Sequence, residues 1–300
     1  MLDAEPRDQA AGLRSAAAPR SRTLAVTSGK GGVGKTSLAV NLALALVQSG
    51  RRVCLVDGDL GLANVDVLLN LHPRHSLRDV VARGLSLEEV VVRGPAGVEV
   101  IPAASGVEAM ANLDAMSRQS LVARLQGRAR QVDLTILDTG AGLSGTVVAL
   151  TLAADEALVV TTPEPTAITD AYATIKVITR RRAEMPVWLL VNLVEHATQA
   201  REIHDHIARI ARRFLGREIP LGGWVPRDAC VERAVREQRP LVLYFPYARA
   251  AEAVRDIAER FAGRADAHGG SEFWRRLVDS SDAARAVPDR TEKTDEGRHA

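Results

Sequence analysis

Eight residues, Gly29-Lys30-Gly31-Gly32-Val33-Gly34-Lys35-Thr36, narrow the fold of this chain more than any other stretch. They lie between an apolar run, Leu24 to Thr27, and a helix-like run, Leu38 to Val47. The phosphate-loop pattern G-x-x-x-x-G-K-[ST] therefore falls in the strand, loop, helix context that it requires. A loop that turns backbone N–H groups inward at a helix N-terminus offers a polyphosphate both donors and the positive end of a dipole. Gly29, Gly31, Gly32 and Gly34 permit the curl, and Val33 and Ser37 complete the candidate contact set. Lys35 would reach the β and γ phosphates, and the Thr36 hydroxyl would ligate Mg²⁺.

The basic residues sharpen this reading. The chain has 39 Lys plus Arg, yet Lys stands only at positions 30, 35, 176 and 293. Where nearly every cation is Arg, two lysines in one loop imply that a guanidinium would not serve there. An ordinary phosphate loop does not need Lys30. The form K-G-G-x-G-K-T resembles the deviant loop of the MinD/ParA ATPases. That resemblance implies ATP and Mg²⁺ as cofactors, and a nucleotide-sandwich homodimer in which Lys30 crosses to the partner's nucleotide.

With 46% hydrophobic and 25% charged residues, the chain reads as one large α/β domain with ragged ends. Cys54 and Cys230 give neither a disulfide framework nor a Cys-x-x-Cys metal site, which fits a reducing cytosol. No run approaches the roughly 20 apolar residues of a membrane span, and no secretory signal is expected. A formal charge of +2 gives no ground for nucleic acid as a partner.

Residues 1–22 are rich in Ala, Arg and Pro and are expected to be flexible. Within them Asp8-Gln9-Ala10 with Leu13-Arg14 resembles the D-Q-A-x-x-L-R element of the flagellar MinD-like ATPases, the FlhG, FleN and YlxH group. There it activates the FlhF GTPase. The ATPase domain is expected over residues 23–262. Arg52 to Val56 predicts strand two of a right-handed βαβ unit. Its end, Asp57-Gly58-Asp59, places two carboxylates at the ligand-binding edge of the sheet. Asp59 would orient or deprotonate the attacking water, with Asp57 near Mg²⁺. Asp57 to Leu69 again resembles the flagellar branch.

His72 and His75 have no ligand partner at metal spacing and read as structural. Ser105 to Arg130 predicts a long helix. Leu134 to Asp138 predicts a buried strand ending in a carboxylate that would hold Mg²⁺ through water, with Thr139 to Gly142 as a second mobile switch. Further strands are expected at Ala157 to Thr161, Val187 to Val191 and Ile219 to Val225. Pro163 to Lys176 resembles the flagellar branch too, which makes Glu164 and Asp170 interface candidates. By the same resemblance Asn192 reads the adenine edge, and Pro226, Arg227 and Asp228 form the second wall of its pocket. Arg180, Arg181 and Arg182 are read as last-turn cations that favour a helix dipole.

The tail, 263–300, is polar and is expected to be mostly disordered, with a short amphipathic helix at 271–279. Its Phe273, Trp274, Leu277 and Val278 share one face, and Arg275 and Arg276 lie opposite. That mix points to an interfacial membrane helix. The competing reading is a helix docked on its own domain.

The fold expected is α/β, a doubly wound, mostly parallel sheet of P-loop type in a single domain. The function expected is an Mg²⁺-dependent, ATP-hydrolysing dimer switch, cytoplasmic and peripheral at the inner membrane. It would control flagellar number or placement through an FlhF-type GTPase, with basal-body or transcriptional proteins as further partners. The alternatives are a partition ATPase on nonspecific DNA and a nucleotide-gated adaptor that does not hydrolyse.

Overall fold

The computed structural model describes residues 21–59, 64–102, 123, 131–263 and 272–277. The D-Q-A element, residues 60–63 of the Asp57 to Leu69 run, and the Ser105 to Arg130 helix apart from Ala123 lie outside the described residues.

The first strand, β1 (Arg22–Ser28), is buried along its whole length, and α1 (Lys35–Gln48) follows directly from the phosphate loop. Next come β2 (Val53–Gly58), α2 (Val65–Leu69), α3 (Leu77–Arg83), α4 (Leu87–Val90), β3 (Val92–Arg93) and β4 (Glu99–Ile101). Capping boxes at Ser76/Asp79 and Ser86/Glu89 start α3 and α4 and satisfy their first N–H groups. The second half holds β5 (Leu134–Ala141), α5 (Gly145–Ala153), β6 (Glu156–Thr161), α6 (Pro165–Arg181), β7 (Val187–Val194), α7 (Ala197–Leu215), β8 (Leu221–Pro226), α8 (Ala229–Arg236), α9 (Leu241–Tyr244) and α10 (Arg249–Ala262).

These strands form one eight-stranded sheet in the order β3-β4-β2-β5-β1-β6-β7-β8. All pairings are parallel except β3 with β4. Strands covered on both faces need apolar residues at successive positions rather than alternation, which is why the centres of β1, β2, β5 and β6 read as mostly apolar runs. The two faces carry separate buried clusters. One is built around α1 and α10, with Leu44, Leu46, Val254 and Phe261, and the other around α5, α6 and α7, with Leu150, Ile175 and Ile207. After β1 the chain runs to one side of the sheet, and after β5 it returns to the other. The loop leaving β1 therefore opens at the topological switch point, where open α/β sheets bind ligands.

The helix at 272–277 is docked on its own domain, the competing reading of this segment. Phe273, Trp274 and Leu277 are 0%, 3% and 1% exposed and belong to the buried cluster that includes Leu150, Ala153, Ile178 and Met185. Phe273 and Trp274 meet edge to face at 4.7 Å. The Arg276 Nε donates to the Ala153 carbonyl at 2.8 Å, and its guanidinium pairs with the buried Asp155 carboxylate. An apolar stripe on a short helix seeks any dry surface. Here its own domain supplies one, so Phe273, Trp274 and Leu277 are already covered, while Val278 lies outside the described residues. Among the described residues no helix is long and apolar enough to cross a membrane.

Candidate active site

Gly34 is the N-cap of α1 with φ of +86°, and Gly32 also has positive φ, +78°. Both conformations suit glycine. A Cβ on Gly34 would stand 2.6 Å from the Asn192 amide nitrogen, and one on Gly29 would stand 2.4 Å from the Asp170 carbonyl oxygen. The loop is thus pressed against β7 on one side and α6 on the other. No side chain caps α1 and its first turn holds no carboxylate. The first N–H groups of that helix are left to an anion.

Lys35 meets Asp138 beneath the loop. The Lys35 Nζ lies 3.1 Å from the Asp138 Oδ1, both side chains being buried. Burial pushes the Asp138 carboxyl up, against the opposing pull of Lys35 and of a hydrogen bond from Thr36, while Asp59 pushes it further up. Its Oδ2 is buried and has no hydrogen-bond partner. An orphaned carboxylate oxygen beside the Thr36 hydroxyl fits a hard, oxygen-seeking cation such as Mg²⁺. Among the described residues no three His, Cys, Asp or Glu side chains gather into a metal cage.

Asp57 organises the backbone that follows β2. It accepts from the Asp59 N–H at 3.0 Å, and from the Asn64 and Val65 N–H groups at 3.3 and 3.4 Å. Its carboxylate therefore ties the chain on both sides of residues 60–63. Burial, chiefly, pushes its carboxyl up to about 7, Asp138 adds to the rise, and the three N–H groups oppose it. Asp59 lies against Gly140: a Cβ there would stand 3.6 Å from its Oδ1. The β5 strand continues through Thr139, Gly140 and Ala141 instead of stopping at Asp138, and the Gly142 N–H bonds to the Ser28 carbonyl at 2.9 Å.

Lys30 stands apart from this group. Its ammonium donates to the Glu164 carboxylate and, at 2.8 Å, to the Thr166 Oγ1, both at the start of α6.

The residues expected around adenine come to the same sheet edge, where Asn192, Arg227 and Asp228 make contacts within the chain. The Asn192 amide donates to the Val33 carbonyl at 2.8 Å. A bulge in β7, with Leu193 at φ of +59°, aims Asn192 at the loop. The two Asp228 oxygens accept from the Cys230 and Ala250 N–H groups at 2.9 and 3.2 Å, so Asp228 fixes the starts of α8 and α10. Arg227 pairs with Glu195 at 3.4 Å. A groove of about 270 Å³ lies between β8 and α10. Of the sequence candidates only Pro226 lines it. Sequence reasoning missed Thr166, whose hydroxyl gives no motif signal, and the strut from Asn192 to the loop, which joins positions 159 residues apart.

Comparison with known proteins agrees with this geometry. The ParA family profile, described as NUBPL iron-transfer P-loop NTPase, matches residues 20–262. The antiactivator FleN of Pseudomonas aeruginosa is 40% identical over 270 residues, 89% of this chain and 96% of that protein. The flagellum site-determining protein YlxH of Helicobacter pylori is 29% identical, over 85% of this chain and 89% of its own. Among solved structures, the Pyrococcus horikoshii MinD complexed with Mg-ADP superposes with a TM-score of 0.64 at 26% identity, over 80% of this chain and 96% of that one. The chain belongs to the ParA/MinD family of P-loop NTPases, within its flagellar branch.

Proposed function

We propose that this protein is an ATP-hydrolysing dimerisation switch that sets flagellar number or placement. The observation that carries the reading is the division of labour between two loop lysines. Lys35 is buried on Asp138, where it can serve its own chain's nucleotide, whereas Lys30 points out onto α6, with its side chain 35% exposed. The relatives FleN and YlxH, named for antiactivation and for flagellum site determination, support the biological role.

In this reading the loop N–H groups and Lys35 bind and orient the phosphates, and Asn192 braces the loop from β7. Mg²⁺, held by Thr36 and through water by Asp138, would offset charge on the phosphate oxygens. Asp59 orients the attacking water and accepts its proton, while Asp57 holds the backbone that carries Asp59. Lys30 reaches the phosphates of a second copy and so makes assembly depend on nucleotide. Asn192, Pro226, Arg227 and Asp228 enclose the base, and Glu164 lies at the interface. The D-Q-A-x-x-L-R element at Asp8 to Arg14 is proposed to engage an FlhF-type GTPase.

The test is sedimentation with Mg-ATP of Asp59→Ala alone and combined with Lys30→Ala, alongside phosphate release by the wild type. Asp59→Ala should form a dimer that does not turn over, and the double variant should remain monomeric. A dimeric double variant, or nucleotide-independent sedimentation of Asp59→Ala, contradicts the switch.

A further inference from the structure

The contact between Lys30 and the start of α6 is an unusual place for a cation. Glu164 is the N-cap of α6 but makes no capping hydrogen bond with its side chain, and the first turn of the helix holds no carboxylate. A positive charge at a helix N-terminus opposes the macrodipole. The ammonium is therefore held there by the Glu164 carboxylate and the Thr166 hydroxyl, and not by the helix as a whole. The Lys30 and Glu164 side chains are 35% and 63% exposed, so the pair is solvated and weak. Such a contact can be exchanged for a phosphate, a stronger acceptor.

We infer that Glu164 and Thr166 are positioning residues that park Lys30 on its own chain and set the nucleotide threshold at which two copies associate. The inference rests on the proposed dimer switch. Before Lys30 can serve a phosphate on another copy it must leave Glu164, so each protomer carries a built-in competitor for its own bridging charge. An exposed ion pair shifts an equilibrium by about 2- to 5-fold. Two parked lysines in a symmetric pair multiply to roughly 4- to 25-fold. The same exchange would free the first turn of α6 whenever the dimer forms, which couples nucleotide state to that helix.

Two measurements on the full-length protein test this. The first is acylation of the nucleotide-free protein by an N-hydroxysuccinimide ester, read by mass spectrometry at Lys30 and referenced to Lys176. The chain's few lysines, at 30, 35, 176 and 293, keep the assignment clean. Lys30 should react about 2- to 5-fold faster in Glu164→Gln than in wild type, and less so in Thr166→Val. Glu164→Asp, which keeps the charge, should return toward the wild-type rate. Equal rates in wild type and Glu164→Gln overturn the parking contact.

The second is sedimentation across an ATP titration, with Glu164→Gln and Thr166→Val each placed in the Asp59→Ala background. Dimer formation in Glu164→Gln should be favoured by roughly 4- to 25-fold at about 0.1 M salt. That advantage should shrink at about 1 M salt, where exposed pairs are screened. An unchanged or weaker dimer overturns the inference. A background that stays monomeric at every ATP concentration overturns the proposed switch, and the threshold role with it, while the acylation rates still decide whether Glu164 holds Lys30.

Discussion

Lys35 and Asp138 form a buried ion pair, Nζ to Oδ1 at 3.1 Å, that joins the phosphate loop to the middle of β5. Removing one partner of a buried pair leaves the other charge uncompensated and costs about 3 to 5 kcal/mol. Lys35→Ala should therefore lose ATP binding by calorimetry and also unfold at lower urea than wild type. Wild-type affinity for ATP in this variant would remove the assignment of the loop.

The Asp57 carboxyl offers a pH signature. Its folded-state value of about 7 lies above the ordinary carboxylate value of 3.8. The folded protein thus binds this proton more tightly than the unfolded chain does. The stabilisation is complete below the ordinary value and is lost as pH rises through the folded one. Asp138 is displaced in the same direction, also by burial. Urea midpoints of nucleotide-free protein should fall between about pH 5 and 7.5, less steeply in Asp57→Asn. Saturating Mg-nucleotide should flatten the wild-type slope. Parallel profiles for the two proteins would contradict this account.

Gly34 makes the loop sensitive to a single methyl group. Alanine there must adopt a φ of +86° and displace the Asn192 amide from 2.6 Å. Gly34→Ala should weaken nucleotide binding by at least about tenfold, since a misplaced loop N–H forfeits a charge-assisted hydrogen bond. Asn192→Ala should weaken it less, because the loop keeps its glycines. The check is competition against a fluorescent ATP analogue.

Trp274, 3% exposed, should behave as a core residue. Trp274→Ala is expected to lower stability by up to about 3 kcal/mol. The loss is limited because the short helix can leave its seat instead of enclosing a cavity. Liposome co-sedimentation of wild type and Trp274→Glu should be the same, since the face is covered in both cases or its loss unseats the helix without giving lipid a stronger site. Wild-type pelleting that Trp274→Glu abolishes would support the membrane role.

The sheet was largely legible because burial on both faces leaves the centres of β1, β2, β5 and β6 as mostly apolar runs, and the loop motif placed the first of them. The helix α5 was not seen, since Gly-Thr-Val-Val-Ala-Leu-Thr-Leu-Ala is apolar on nearly every side and shows no polar face to reveal a helical period. At the site, Lys35, Thr36 and Asp138 follow from local motifs. The strut from Asn192 to Val33 and the seat of Lys30 on Thr166 join residues 159 and 136 positions apart, and no local pattern encodes such a meeting. The 272–277 helix shows the same limit. Its amphipathic stripe could be read from sequence, but whether protein or lipid covers it depends on surfaces assembled elsewhere in the chain.

Asp155 gives that docked helix a wider meaning. One carboxylate oxygen accepts from the Thr23 N–H at 2.9 Å, at the start of the strand that becomes the phosphate loop, and the other pairs with Arg276. The ParA family profile matches residues 20–262, yet the packed core runs past that range to Leu277. A fragment cut at Ala262 would bare the apolar seat of Phe273, Trp274 and Leu277 and strand a buried anion beside β1. Such a fragment should be sticky and short-lived in solution even though every residue of the nucleotide site is intact, so the end of the profile match and the boundary set by folding are different places in this chain.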